Sequence, residues 1–271
     1  MKEGRYYSYY NKKGARVKNR WVNVGQNRYF FNEKGRAVTG SMARGGKVYV
    51  FRENGRLYRP RTPRVVAVKK NKYYVDVRGR ASRGWFTVNN RLYYADSKGR
   101  LYLKNRSREG ITFTDQGYAA DGAAANSKLL AMNILSRITT PGMSDGQKLQ
   151  RAWSYVTTHM SYCGYYPSWR PGWQKELAAI ALGQGRGNCY GYACAFAALA
   201  REIGYDPYLI CGRVSGTRDG AADGYTRHCW VRINGAYYDP EAHALGWYRG
   251  VYGAGAYGIS HTVQSIVRYG E

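Results

Sequence analysis

The sequence predicts two parts of different class, a series of β-hairpin repeats over residues 1–110 and an α+β domain over residues 111–271. The first part repeats an aromatic pair and a glycine about every 20 residues and carries a net charge of +23. The second part carries a net charge of only +3 and holds all five cysteines. Its patterns are first helical and then typical of strands, which favours an α+β class.

Five segments of the first part share an aromatic pair, a polar turn and a glycine. Each glycine supplies the positive φ that a tight turn needs, as in Asn32-Glu33-Lys34-Gly35. One such hairpin cannot bury its aromatic face alone, so we expect stacked hairpins that form a β-solenoid held together by nearest neighbours. The recurring glycines, spaced by 21, 20, 24 and 20 residues, are Gly14, Gly35, Gly55, Gly79 and Gly99.

The charge of the first part favours polyanionic partners, either nucleic acid or an anionic surface such as a cell wall. Basic residues alternate with aromatic ones, as in single-strand binders, but no nucleic-acid-binding signature occurs, so nucleic acid is the less favoured partner. A basic spacer without a ligand is the remaining alternative. The sequence has no apolar run long enough to span a bilayer. Residues 1–10 are polar and aromatic, so we expect any leader of an exported protein to have been removed.

Residues 5–105 resemble the cell-wall-binding repeats of Gram-positive surface proteins, the family that includes choline-binding and glucan-binding modules. The shared pattern is a tryptophan, an aromatic pair and a glycine, and two of the five repeats keep the tryptophan. The resemblance implies a secreted, wall-located protein, and choline-binding members use cation–π attraction in aromatic cages. Given the charge, we expect an anionic wall polymer or polysaccharide rather than choline. The candidate ligand-binding residues are Trp21, Tyr29, Tyr49, Tyr73, Trp85 and Tyr93.

The second part opens with four predicted helices. They are Ala123–Ile138, which is rich in alanine and leucine, Ser144 to about Met160, Trp173–Leu182, and a helix from Cys189 to a cap at Gly204. Three strands follow at Tyr208–Val214, Tyr225–Ile233 and Ala236–Asp239.

The turn Asn234-Gly235 fixes the register of the last two strands as a two-residue hairpin. Alternation along the strands then predicts that His228 and Asp239 are diagonal neighbours on one face, about 7–8 Å apart at the backbone. Trp230 and Tyr237 share that face, whereas the opposite face, with Cys229, Val231, Ile233 and Tyr238, is predicted to meet the core.

Cys189 follows a glycine loop at a predicted helix start, where unpaired N–H groups and the helix dipole favour a thiolate and a developing oxyanion. Cys194 is expected to be packed. An odd cysteine count allows one reactive thiol with up to two disulfides, or five reduced thiols. Because no Cys-x-x-Cys pair occurs, no metal site is predicted, and no cofactor is expected.

Residues 144–245 resemble the transglutaminase-like superfamily of papain-fold cysteine enzymes. The matching features are a helix that ends in Ser161-Tyr162, the Gly187-x-Cys189-x-Gly191-Tyr192-Ala193 segment, the His228-x-Trp230 strand and the Tyr238-Asp239-Pro240 return. The resemblance implies a papain-like fold with Cys189, His228 and Asp239 as nucleophile, base and orienter. The candidates that complete the oxyanion hole or line the cleft are Gln184, Trp169, Trp173, Tyr162 and Trp230.

The implied reaction is thiol acyl transfer on a protein or peptide substrate, by a cysteine protease or amidase or by a transglutaminase-like acyltransferase. The alternative is a catalytically silent surface adhesion protein that uses the same scaffold. Glu241 and His243 follow Asp239 closely and either line the cleft or lie in a loop, and the loop is favoured. Trp247–Gly258 is expected either to pack over the cleft or to form a loop.

Overall fold

The structure is a computed structural model that describes residues 2–3, 6–164 and 169–271. The chain divides into two compact units. The first contains residues 1–108 and 112–120, and the second contains residues 109–111 and 121–271. Arg5, the first residue of the segment that resembles the repeats, lies outside the described residues.

The first unit is built from short antiparallel hairpins. Four of them have five-residue strands joined by two-residue turns. The strands of residues 2–112 are β1 (Lys2–Glu3), β2 (Tyr6–Tyr7), β3 (Arg20–Val24), β4 (Asn27–Phe31), β5 (Gly40–Arg44), β6 (Lys47–Phe51), β7 (Arg64–Val68), β8 (Asn71–Val75), β9 (Arg80–Ala81), β10 (Gly84–Val88), β11 (Arg91–Ala95), β12 (Ser107–Arg108) and β13 (Ile111–Thr112).

The hairpin turns come before the aromatic strands, which corrects the predicted place of the turn. In the β5–β6 hairpin, Gly45 and Gly46 both have positive φ, at 57° and 70°, as a type I′ turn requires. The Asn32–Gly35 turn instead follows the aromatic strand β4 and leads into the next hairpin. Its conformation is stabilised locally because Asn32 Oδ1 accepts the N–H groups of Lys34 and Arg36, each at 3.0 Å.

Successive hairpins are joined by a recurring backbone hydrogen bond. The N–H of Leu57 donates to the carbonyl of Arg28 at 2.8 Å, and the N–H of Leu101 donates to that of Lys72 at 2.9 Å. A sixth turn of the same kind, Thr114 to Gly117, ends in an equivalent bond from Ala119 to Leu92 at 2.7 Å. The sequence pattern missed this turn because one phenylalanine, and not an aromatic pair, precedes it.

The second unit is a mixed α/β structure, and its four long helices and three of its strands were predicted. The elements after residue 120 are α1 (Ala123–Ile138), α2 (Asp145–His159), β14 (Ser161–Tyr162), α3 (Trp173–Gln184), β15 (Arg186–Gly187), α4 (Cys189–Ile203), β16 (Tyr208–Ser215), β17 (Tyr225–Ile233), β18 (Ala236–Tyr238), α5 (Pro240–Leu245), β19 (Tyr252–Ala254) and β20 (His261–Arg268). None of the helices in the described residues has the length and apolar character needed to cross a membrane.

An antiparallel sheet with the order β19-β18-β17-β16-β20 packs against α4. All residues of α4 from Cys189 to Ala200 are buried, and small side chains allow the close approach of α1, α2 and α3. Gly204 caps the helix as predicted, through N–H bonds to the carbonyls of Ala200 and Arg201. Because α4 packs against the sheet, its first residue, Cys189, lies close to the sheet.

Candidate functional sites

Cys189 is the first residue of α4. Asn188 is in an extended conformation and caps the helix, because its Oδ1 accepts the N–H of Gly191 at 3.1 Å. The first N–H groups of a helix have no acceptor within it, so the end beside Cys189 favours negative charge. The thiol is 1% exposed, and its Sγ lies 4.0 Å from the carbonyl oxygen of Arg227 on β17. The sulfur thus faces the strand that carries His228.

The hydrogen bond expected between His228 and Asp239 is present, with 2.6 Å between Nε2 and Oδ2. It follows from the predicted register, in which Ile233 pairs with Ala236. Since Nε2 donates to Asp239, Nδ1 is the ring nitrogen left for the thiol. Burial opposes protonation of His228, but the charge and hydrogen bond of Asp239, together with Cys189, outweigh it and raise the pKa of the imidazole well above its usual value. This arrangement favours the imidazolium form of His228.

Asp239 is held by two further donors. It caps α5, so its Oδ1 accepts the N–H of Ala242 at 3.0 Å, and Pro240 occupies the first helical position. Its Oδ2 also accepts the Tyr257 hydroxyl at 2.6 Å. Burial, and then the charge of Asp239, raise the pKa of Tyr257, so the phenol remains a donor. The sequence predicts that Asp239 ends a strand, although an Asp-Pro pair is also a helix-start signal.

The face that carries His228 and Trp230 is as buried as the face predicted to meet the core. His228 is 1% exposed and Trp230 is fully buried. Tyr257 stacks on Trp230 with ring centroids 4.4 Å apart, and Trp247 stands edge-on over His228 at 5.3 Å. Of the two alternatives for Trp247–Gly258, packing over the site is the one observed.

The five oxyanion and cleft candidates lie in four places. Trp230 stacks beside His228 at 6.0 Å, and Tyr162 pairs with Gly187, two residues before Cys189. Trp169 and Trp173 pack edge-on against Tyr190, which follows Cys189. Gln184 accepts a hydrogen bond from Arg186 at 3.0 Å and lines a cavity of about 430 Å³ whose lining does not include Cys189.

Glu241 belongs to the site, and the loop predicted for it is wrong. Both Glu241 and His243 lie in α5, and Glu241 is fully buried. Its Oε1 accepts a hydrogen bond from Arg218 at 3.1 Å, and its Oε2 accepts one from Trp247 Nε1 at 2.9 Å. Ligand-type atoms of His228, Asp239 and Glu241 lie within 4.8 Å of one another, but all three groups are engaged in the hydrogen bonds above. We therefore assign no metal to them.

All five cysteines are free thiols, which is one of the two states that the odd count allowed. Cys194 is fully buried as predicted, and burial raises the pKa of its thiol. Cys211 and Cys229 face each other with 3.9 Å between their sulfurs. Cys163 is partly exposed. Among the five, Cys189 is the one placed beside a histidine at a helix start.

The ligand candidates of the repeats are placed unevenly. Tyr73 and Tyr93 are 2% and 8% exposed, so their rings belong to the hairpin cores and do not offer a binding face. Strand alternation explains this, because each neighbouring tyrosine of the pair points to the other side. The other four candidates, Trp21, Tyr29, Tyr49 and Trp85, are half-buried.

Arginine side chains cover aromatic rings throughout the first unit. The Arg28 guanidinium lies 4.4 Å from the ring centroid of Trp21. Tyr29 is also engaged, because its hydroxyl accepts a hydrogen bond from Arg56 at 3.2 Å. Further pairs of this kind are Arg36–Tyr6 at 4.0 Å, Arg52–Tyr58 at 4.3 Å, Arg91–Tyr118 at 4.3 Å and Arg44–Phe30 at 4.7 Å. These rings already have a cation from the chain itself.

Comparison with protein families confirms both resemblances. Residues 132–249 match the transglutaminase-like superfamily. Residues 19–37 and 84–101 match the choline-binding type of cell wall binding repeat. No curated protein matches the chain.

Several solved structures are similar to part of the chain. CbpF in complex with ipratropium is 27% identical, over 45% of this chain and 38% of that one, with a TM-score of 0.33. CbpJ from Streptococcus pneumoniae is 28% identical, over 44% and 39%, with a TM-score of 0.32. The Cpl-1 endolysin complexed with a peptidoglycan analogue is 23% identical, over 44% and 38%, with a TM-score of 0.30. TM-scores this low do not establish a shared fold, and the chain spans less than two fifths of the length of each of these proteins.

Proposed function

We propose that this chain, with its transglutaminase-like domain and choline-binding-type repeats, is a secreted, wall-attached cysteine enzyme that carries out thiol acyl transfer. In this proposal residues 111–271 form a papain-like catalytic domain, and residues 1–110 form a repeat solenoid that attaches it to the wall. Cys189 is the nucleophile, His228 the acid and base, and Asp239 the orienter. The observation that carries the proposal is the 2.6 Å His228–Asp239 hydrogen bond on the strand that Cys189 faces.

The reaction begins when the Cys189 thiolate attacks the carbonyl carbon of a glutamine carboxamide or a peptide bond. The charge that forms on the carbonyl oxygen is stabilised by the N–H groups at the start of α4. His228 gives its proton to the leaving nitrogen as the C–N bond breaks, which leaves a thioester on Cys189. Water or a second amine then attacks the thioester and passes a proton to His228, and the acyl group leaves the sulfur. Water gives hydrolysis and an amine gives transamidation.

The ligand we propose for the repeats is an anionic wall polymer or polysaccharide. Choline binds by placing its cation against aromatic faces, and in this unit arginines occupy such positions over Trp21, Tyr6 and Tyr58. The same arginines leave a strongly positive surface, in keeping with the net charge of +23 over residues 1–110.

A catalytically silent adhesion protein is the second candidate. The observation that favours it is the closure of the site, since Cys189 and His228 are each 1% exposed. An enzyme with this structure must open before a substrate reaches the sulfur.

Two assays run side by side separate these functions. The protein is incubated with a fluorescent primary amine and a glutamine-rich protein, and separately with a peptide-cleavage library. We expect amine incorporation or cleavage by the natural sequence and none by Cys189→Ala, with the matched variant Cys163→Ala unchanged. Incorporation identifies a transamidase, and cleavage identifies a protease or amidase. Equal activity of Cys189→Ala and the natural sequence would contradict the enzymatic function.

A further inference from the structure

Beside the active site lies an ion pair that none of the three triad roles uses. The carboxylate belongs to Glu241, which is fully buried, two residues after Asp239 at the start of α5. The cation is Arg218, whose Nη2 lies 3.1 Å from Glu241 Oε1 and whose side chain is 34% exposed. A buried carboxylate is retained only where a partner compensates its charge. The question is what this pair does so close to Cys189 and His228.

Glu241 connects two segments that flank the Cys189–His228 pair. Arg218 comes from the loop between β16 and β17, and Trp247 comes from the segment after α5. Trp247 donates its indole N–H to the second oxygen of Glu241, and its ring stands edge-on to the His228 imidazole. One carboxylate therefore fixes a cation on one side of the site and a ring over the histidine on the other.

Arg218 extends from Glu241 toward the start of α4. Its Nη1 donates to the Tyr162 hydroxyl at 3.1 Å, and its guanidinium lies 4.9 Å from the centroid of the Tyr162 ring. Tyr162 pairs with Gly187, two residues before Cys189. Burial opposes the charge of Arg218, but the charge of Glu241 outweighs it and raises the pKa of Arg218, so the guanidinium stays positive. The guanidinium therefore lies between Glu241 and the tyrosine that pairs beside the start of α4.

We propose, on the premise of the acyl-transfer function, that Glu241 is a positioning residue that holds the positive charge of Arg218 beside Cys189. Arg218 then stabilises the thiolate before attack and the negative charge of the tetrahedral intermediate after it. The planar guanidinium suits this place because it binds Glu241 and Tyr162 at once.

The charges around Cys189 come from several elements. His228 faces it from β17. Burial raises the pKa values of Tyr190, Cys194 and Cys229, so these side chains add no charge near neutral pH. Asp239 and Glu241 act through His228, because their carboxylates lie within 4.8 Å of its ring nitrogen. Arg218 is the cation from the loop that follows β16. Removal of Arg218 therefore leaves two carboxylates near the thiolate with one cation fewer to oppose them.

The test is the pH dependence of iodoacetamide alkylation at Cys189, followed by peptide mass spectrometry on the full chain. We expect Arg218→Met to move the pH of half-maximal rate upward by about one unit, which is a tenfold loss of rate at low pH. Arg218→Lys keeps a positive charge and should restore most of the profile. The matched control is Arg213→Met, which removes the cation of the Arg213–Asp223 pair in the same hairpin. It should leave the profile unchanged.

The variant Glu241→Gln tests whether Glu241 acts by holding Arg218 in place or only by its own negative charge. Loss of a nearby negative charge alone would move the half-maximal pH downward, whereas loss of the group that holds Arg218 moves it upward. We expect the upward shift, and a downward shift would contradict the positioning role. The double variant Arg218→Met with Glu241→Gln leaves no unpaired buried charge. We expect its profile to remain shifted upward, and a return to the natural profile would mean that Arg218 only neutralises Glu241.

The outcomes distinguish this inference from the proposed function. If Cys189 of the natural sequence reacts quickly and all these variants share its profile, the role of the ion pair is wrong while the enzymatic function stands. If Cys189 of the natural sequence is no more reactive than Cys163, the function itself fails and the ion pair has no thiolate to stabilise. Thermal unfolding of each variant shows whether an altered profile comes from a folded protein.

Discussion

At the scale of single residues, three donors converge on the Asp239 carboxylate. They are the ring of His228, the hydroxyl of Tyr257 and the backbone N–H of Ala242. The His228 bond fixes which ring nitrogen carries a proton, and the other two fix the direction of the carboxylate. The orientation of the His228 ring therefore depends on how firmly α5 and Tyr257 hold the Asp239 carboxylate.

Asp239 and Tyr257 share one hydrogen bond, but we expect substitutions of the two residues to lower the rate of acyl transfer by different amounts. Asp239→Asn removes the charge that favours the imidazolium and should lower acyl transfer at least about 100-fold. Tyr257→Phe removes one of three donors and should lower it by about tenfold or less. The measurement is the rate of amine incorporation or peptide cleavage for the two variants and the natural sequence. An equal loss in both would mean that Tyr257, and not the charge of Asp239, controls the histidine.

The three residues of the proposed triad follow from local signals in the sequence, whereas several of their neighbours do not. Cys189, His228 and Asp239 each follow from a local signal: a glycine loop before a helix, a strand, and a two-residue turn that sets the register. Arg218 and Glu241 meet only because a loop and a short helix fold against each other. No periodicity or turn signal encodes such a contact, and Tyr257 lies in a glycine- and tyrosine-rich stretch without any pattern.

At the scale of elements, the repeat turns place glycine where a side chain would collide with the preceding hairpin. A Cβ added to Gly79, whose φ is +82°, would lie 2.5 Å from the carbonyl oxygen of Tyr58. Gly46 also has a positive φ, at +70°, but a Cβ there would meet nothing within 4 Å. Both glycines thus have a positive φ, but only at Gly79 would a side chain collide with a neighbouring backbone atom.

We expect Gly79→Ala to destabilise the first unit more than Gly46→Ala. Both substitutions incur the cost of a positive φ, about 1 kcal/mol. Gly79→Ala adds the cost of overpacking against a backbone atom, about 1–3 kcal/mol. Urea unfolding followed by tyrosine and tryptophan fluorescence measures the difference. Equal stability of the two variants would mean that the hairpins do not pack as closely as the structure has them.

Some elements could be predicted from the sequence and others could not. The helix Ala123–Ile138 has strong helical composition, and α4 begins after the capping residue Asn188 and ends at Gly204, so local features indicate these helices. β20 is an exposed edge strand that pairs with β16 across more than 40 residues of sequence, so its pairing depends on tertiary contact. α5 has six residues, too few for a helical pattern to show.

At the scale of the whole molecule, the distribution of charge implies how wall binding should respond to salt. The excess of positive charge lies almost entirely in residues 1–110, and arginines cover the rings of Trp21 and Tyr6. We expect retention on purified cell walls to fall steeply between about 50 and 200 mM salt, as counterion release requires. Free choline should not release the protein. Release by choline at constant ionic strength would contradict an anionic ligand.

In the proposed function, the fold makes one buried thiol, that of Cys189, the most reactive in the molecule. Exposure alone predicts the opposite order, because Cys163 is partly exposed while Cys189 is 1% exposed. The most direct measurement is the rate of iodoacetamide modification at each of the five cysteines in one sample at neutral pH, for the natural sequence and for His228→Ala. We expect Cys189 to be modified first in the natural sequence and to lose that lead in His228→Ala. Modification of Cys163 first, with Cys189 equally slow in both proteins, would contradict it.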